Sequence, residues 1–211
     1  MKTISITRAL QELKLLDQRI NKDLQTKFIE TKKVKFDKVQ NGLLTVEDFN
    51  KNAKAKFQSV MDLIERRKVI KSLIVKSNAV TEVEIAGIKY TVADAIERKT
   101  SIQYDKQVLN TLRTQLAQAT RVLENANMKL EQDAKELINS LVGRDTTSKD
   151  ILDSATKIAE EKTKGETTEY VDPIKIKEMI DKLEDEIISF ENEVDMVLSE
   201  INGITMITIP D

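Results

Sequence analysis

The stretch TEVEIAGIKYTVADAIERKT, residues 81–100, decides how the rest of the chain is interpreted. Two short runs in it alternate apolar and polar residues, which is the period of a β-strand, and Gly87 lies between them. Glycine supplies the positive φ that a tight hairpin turn needs. Thr91 and Asp94 then have the spacing of a helix-start signal. The stretch therefore predicts a β-hairpin over residues 82–92 that continues directly into a helix.

Two helices are predicted before this hairpin. Apolar residues recur every three or four positions from about Ser5 to about Lys38, and the QNG at 40–42 ends this helix because Asn and Gly tolerate the left-handed conformation. The second helix begins at Thr45, whose hydroxyl can accept a hydrogen bond from the first turn, and it ends near residues 76–78.

Two further helices are predicted after the hairpin. The first extends over about residues 92–142, and the second begins at Asp172-Pro173 and stops at Asn202-Gly203. Both carry apolar residues at alternating steps of three and four, which is the heptad pattern of coiled coils. These predicted packing and oligomer-interface residues are Leu109, Leu112, Leu116, Leu123 and Leu130 in the first helix, and Ile180, Leu183, Ile187, Phe190 and Val194 in the second.

Residues 143–171 are polar and predict a connection with a short helix at 148–163. The β-prone strand at 203–209 can pair with the hairpin and form a three-stranded sheet, because an isolated hairpin is marginally stable. We predict a mainly α fold, an elongated antiparallel helical bundle or coiled coil with this small sheet. One elongated domain, 1–211, would comprise a basic helical hairpin (1–78), the β-hairpin and long helix (79–142), the polar connection (143–171), and an acidic helix with a strand (172–211).

The composition argues against several classes of enzyme. The 211 residues contain no Cys and no His, which excludes disulfides, thiolate or imidazole zinc sites and histidine-dependent nucleophiles. No phosphate-binding GxxxxGK[ST] or GxGxxG motif occurs. The carboxylates of LEDEI at 183–187 and ENEVD at 191–195 fit a solvated helix face. We expect a protein that is not an enzyme and has no cofactor and no metal site.

The net charge of −2 conceals an asymmetry. Residues 1–76 hold 18 Lys and Arg against 9 Asp and Glu, whereas residues 77–211 hold 16 against 27. The basic half can bind an anionic partner, or it can pair with acidic helices of the same assembly. The candidate anion-binding residues are Lys32, Lys33, Lys35, Lys54, Lys56, Arg66 and Arg67.

The first residues lack an apolar stretch of signal-peptide length, and no run approaches the roughly 18 apolar residues of a membrane span. We therefore expect a soluble cytoplasmic protein without a membrane partner.

Several short motifs have the order found in one family. They are Asn78, Gly87, Thr91, Asp94, Ala95 and Arg98, then Leu198, Asn202 and the tail from Ile204. In outline, residues 60–209 resemble a family of small, uncharacterised bacterial and phage helical proteins. The chain departs from the family in its longer polar insertion at 143–171 and in lacking an aromatic residue after Asn202. The resemblance implies the helical architecture and an oligomeric, phage-derived protein located in a host cytoplasm or a virion, and it implies no activity.

Three functional hypotheses follow. The first is a non-enzymatic homo-oligomeric coiled coil with a structural or assembly role. The second is a protein that binds and inhibits or sequesters a host defence protein through its acidic helix or its sheet, for which one stoichiometric partner would be evidence. The third is nucleic-acid binding by the basic helices, which salt-dependent retention of DNA would support.

Overall fold

The computed structural model describes residues 1–40, 44–142 and 149–210. The protein is mainly helical and has two small antiparallel sheets of two strands each in this described part. In chain order the elements are β1 (Lys2–Ser5), α1 (Ile6–Asp23), α2 (Val46–Val80), β2 (Glu82–Ile85), β3 (Ile88–Thr91), α3 (Val92–Val142), α4 (Lys149–Glu166), α5 (Ile176–Ile204) and β4 (Met206–Ile209). The chain divides into two compact units, unit 1 (Met1–Thr100 with Ser189–Asp211) and unit 2 (Ser101–Ile188).

The predicted hairpin and the helix that follows it are confirmed. Strands β2 and β3 pair with Val83 opposite Tyr90, and their turn places Ala86 at φ 51° and Gly87 at φ 75°. The hydroxyl of Thr91 accepts the backbone N–H of Asp94 at 3.0 Å, which caps the start of α3. Local signals are sufficient here because the turn and the cap are each formed by neighbouring residues.

The prediction for the first helix is wrong at its C-terminal end. Helix α1 ends at Asp23 rather than near Lys38, and residues 24–40 form no further helix. Beyond Asp23 the chain is rich in β-branched residues and contains the lysine-rich run 32–35, both of which weaken a helix. Helical apolar spacing therefore extends beyond Asp23, into residues whose propensity does not favour helix.

The predicted three-stranded sheet is also wrong. The C-terminal strand β4 pairs with β1, with Ile4 opposite Ile207, and not with the β2–β3 hairpin. The hydroxyls of Thr3 and Thr208 are hydrogen-bonded at 3.1 Å, and the N–H of Ile6 donates to the carbonyl of Thr205 at 2.9 Å. Residues Lys2–Ser5 lie directly before a helix, and the predicted start of that helix at about Ser5 gave no indication of a strand before it.

Unit 1 has a core in which the β1–β4 sheet packs against α1 and α2. Its buried members are Ile4, Ile6, Ala9, Leu13, Leu16, Ile70, Ile74, Ile207 and Ile209. Full burial of one such side chain contributes about 1.5–3 kcal/mol. The sheet therefore closes the apolar side of the α1–α2 pair.

Unit 2 contains α4 and parts of α3 and α5. Helix α4 lies within the predicted polar connection and buries Ala155 and Ala159, while residues 143–148 lie outside the described residues. Asp172 accepts the backbone N–H of Ile176 at 2.8 Å, as expected of a capping residue, but α5 begins at Ile176 and not at Pro173. Lys175 has φ 54°, a left-handed conformation that interrupts the helix before Ile176.

The β1–β4 pairing makes a prediction about stability. Replacing Ile209, which is 2% exposed, by Ala should lower the free energy of unfolding by about 2–5 kcal/mol, because it leaves a cavity against α1 and α2. Met206→Ala on the same strand is the control, since Met206 is exposed. Urea denaturation measures both variants. Equal effects of the two substitutions would contradict the placement of β4 on this core.

Candidate interaction surfaces

The predicted packing residues of α3 and α5 divide into two classes of burial. Buried are Leu109, Leu112, Ile180, Ile187, Phe190 and Val194. Half-buried are Leu116, Leu123, Leu130 and Leu183. We call the heptad positions of α3 in unit 2, Leu109 through Leu130, the α3 seam. Its first part is covered by the chain itself, and its second part keeps apolar surface accessible.

Polar contacts hold the segment after α4 along α3 in unit 2. The side-chain amide of Asn127 bonds both the N–H and the carbonyl of Thr168, at 3.0 and 3.2 Å. The Tyr170 hydroxyl donates to Thr120 Oγ1 at 2.7 Å. A groove of about 460 Å³ lies beside these contacts, and Leu116 forms part of its wall. In the same unit, Arg113 of α3 and Glu184 of α5 form an ion pair.

In unit 1, Phe190 lies between the hairpin and the start of α3. Its ring meets that of Tyr90 edge-on at 5.9 Å, and the guanidinium of Arg98 lies 5.8 Å from its centroid. This geometry combines aromatic and cation–π attraction. Phe190 thus packs within its own chain.

Carboxylates of the two acidic motifs take part in structural contacts. Glu193 accepts the backbone N–H of Ala86 at 2.7 Å, which stabilises the left-handed turn residue. Asp195 pairs with Lys99, and Glu184 pairs with Arg113. Within the described ranges, no three acidic side chains are grouped in a way that could hold a metal ion.

Three of the seven candidate anion-binding residues pair with carboxylates of α1. Lys56 lies 3.0 Å from Asp23, and Arg66 lies 2.6 Å from Glu12. Arg67 donates to both carboxylate oxygens of Asp17, at 2.5 and 3.5 Å. This hydrogen bonding holds the pKa of Asp17 below its ordinary value of 3.8 and raises the pKa of Arg67. These cations therefore join α2 to α1.

The other four candidates, Lys32, Lys33, Lys35 and Lys54, are exposed. The three from the run at 32–35 lie in the non-helical segment 24–40, whereas Lys54 lies on α2. The seven residues therefore lie in different parts of unit 1, and anion binding by them stays a prediction.

A groove that the sequence did not predict lies in unit 1 between α1, α2 and β1, with a volume of about 480 Å³. We call it the basic groove. Its cations are Lys2, Arg8, Arg19 and Arg66, its apolar residues are Leu15, Leu16 and Leu63, and Gln11 and Glu12 complete the lining. The sequence signal for this groove is the spacing of Arg8, Glu12, Leu15 and Arg19 at successive turns of α1.

Comparisons with protein-family models, with curated proteins and with solved structures find no match for this chain. Across the described residues, no helix combines the length and the apolar character that crossing a membrane requires.

The Asp17–Arg67 pair makes a prediction about pH. Because the pKa of Asp17 is lower in the folded state than in the unfolded chain, the pair stabilises the fold above the ordinary pKa, and this stabilisation is lost as the pH falls through the lowered value. Asp17→Asn should lower the urea midpoint at about pH 7, and the difference from the parent protein should shrink as the pH falls below the ordinary pKa of 3.8.

The control is Arg67→Gln combined with Asp17→Asn. In the Arg67→Gln background, the change in urea midpoint caused by Asp17→Asn should depend much less on pH. The reason is that the carboxylate has already lost its cationic partner. A difference that persists unchanged at low pH would show that Asp17 acts through something other than its charge.

Proposed function

We propose that the protein is a non-enzymatic, self-associating coiled-coil protein with a structural or assembly role. The observation that supports this proposal is the α3 seam, whose residues Leu116, Leu123 and Leu130 are only half-buried. Heptad leucines of a helix pack as knobs into holes on a facing helix. In this proposal the second half of the seam receives a helix from another copy of the chain.

The energetic argument rests on apolar area. Burying the remaining surface of these leucines contributes about 25 cal/mol for each Å² removed from water. Several seam positions on each copy would have to act together, because association also has an entropic cost of at least about 4 kcal/mol. A phage origin, from the family resemblance, would place such an assembly in a virion or an infected cell and is part of the same proposal.

Sedimentation equilibrium tests the proposal. At micromolar concentration the protein should have a mass that is a multiple of 24.0 kDa. Replacing Leu123 and Leu130 together by Gln should shift this equilibrium toward the monomer. Met128→Gln is the control, since Met128 is exposed on the same helix, and it should leave the mass unchanged. Circular dichroism confirms that the variants keep their helix content.

A parent protein that sediments as a monomer in both low and high salt would refute self-association. Equal weakening by the seam variant and by Met128→Gln would refute the assignment to the seam.

A second candidate function, binding of a host protein, is favoured by a separate observation. In the non-helical segment 24–40, Ile29 is 86% exposed, Val34 is 94% exposed and Phe36 is 60% exposed. Large apolar side chains exposed together in one segment are typical of interaction sites. This candidate places recognition in the basic half and not in the acidic helix. Nucleic-acid binding is a weaker candidate, because Lys56, Arg66 and Arg67 already have carboxylate partners.

Replacing Val34 and Phe36 by Ser distinguishes the partner-binding candidate. Neither side chain is buried, so the urea midpoint should change little, while recovery of one stoichiometric partner from a host extract should be lost. Val75→Ser, at an exposed position of α2, should keep the partner. Unchanged recovery with the double variant would exclude the segment as the binding site.

A further inference from the structure

We propose that the basic groove of unit 1 binds an acidic amphipathic helix of a partner protein. This inference goes beyond the self-association proposed above, since it concerns another surface and another partner. Among the described residues, four cations and one carboxylate line the groove, and that carboxylate, Glu12, is already engaged by Arg66. The side chains of Lys2, Arg8 and Arg19 are exposed and have no ion pair within the described residues.

The arrangement of the groove favours a helical ligand. Arg8 and Arg19 are eleven residues apart on α1, which separates them by about 16 Å at 1.5 Å per residue. A partner helix of three turns covers the same distance. Its carboxylates would meet the two guanidinium groups, whose planar donor forks match carboxylates in a two-pronged geometry.

Between the two arginines the groove has an apolar patch beside Gln11 and Glu12. Leu15 is 54% exposed, Leu16 is buried beside it, and Leu63 of α2 is half-buried on the opposite side. An apolar centre with a charged rim is the usual composition of a protein–protein interface. An amphipathic helix placed in such a groove buries its own leucines against this centre.

The same features argue against nucleic acid as the occupant. Single-stranded nucleic acid binds where aromatic side chains stack on its bases, and none of the described residues that line this groove is aromatic. A duplex would contact the arginines through phosphates but would leave the leucines without an apolar partner. The leucines therefore select the acidic helix over a phosphate backbone.

The test measures fluorescence anisotropy of labelled synthetic peptides with the full chain. The probe is a 15-residue helical peptide with leucines at three- and four-residue spacing and glutamates on both flanks. Its comparison peptide has the same composition in an order that disperses the leucines. The probe should bind, and the comparison peptide should bind at least about tenfold more weakly, which corresponds to about 1.4 kcal/mol.

Variants locate the binding. Arg8→Glu with Arg19→Glu should weaken binding of the probe at least about tenfold. Lys14→Glu with Lys51→Glu changes the net charge equally at exposed positions outside the groove and should have little effect. Leu15→Asn removes the apolar centre without changing charge and should also weaken binding. Because Arg8, Leu15 and Arg19 are exposed, these variants should keep the parent's circular dichroism spectrum.

Three results would overturn the proposal. They are absence of probe binding, equal binding of the two peptides, and equal losses in the groove and control variants. Tighter binding of a 20-base-pair DNA duplex that is lost with Arg8→Glu and Arg19→Glu would instead assign the groove to nucleic acid. None of these results depends on the oligomeric state, so failure here leaves the self-association proposal standing.

Discussion

The pairing of β1 with β4 is the interaction on which unit 1 depends. A two-stranded sheet is marginal by itself in water. It persists here because Ile4, Ile207 and Ile209 lie on one face and are buried against α1 and α2. The same pairing ties the end of α5 to the start of α1, through the N–H of Ile6 and the carbonyl of Thr205. Without this sheet, Ile70 and Ile74 of α2 would lose apolar neighbours.

Local signals explain which parts of the fold the sequence predicts well. The hairpin depends on a turn at Gly87, and the starts of α2 and α3 depend on caps at Thr45 and Thr91, so each is determined by residues a few positions apart. The wrong prediction for the sheet concerns a feature that nearby residues do not determine. The partner of β1 is some two hundred residues away in sequence, and no local pattern identifies it. Helix α1 ends at Asp23 because the residues beyond it have weak helix propensity, and apolar periodicity does not report this.

The accessibility of charged residues also depends on contacts that are distant in sequence. The clusters of lysine and arginine in the sequence predict anion binding, yet Arg66 and Arg67 of one cluster pair with carboxylates of α1. Exposed ion pairs of this kind contribute about 0–1 kcal/mol each. The spacing of Arg8 and Arg19 places them on one face of α1, and the packing of α1 on α2 makes that face part of a groove. Charge density along a sequence is thus a poor guide to which charges remain accessible after folding.

The long separation between β1 and β4 has a consequence for the order of folding. Closing a loop of this length costs conformational entropy before any contact repays it, and contacts distant in sequence generally form slowly. During synthesis from the N-terminus, Lys2–Ser5 has no strand partner until Met206–Ile209 has left the ribosome. Helices α1 and α2 can pair earlier, but their core stays open to water until the last strand arrives. The nascent chain therefore carries an exposed apolar surface between the synthesis of β1 and that of β4, and this is the interval in which a chaperone would protect it.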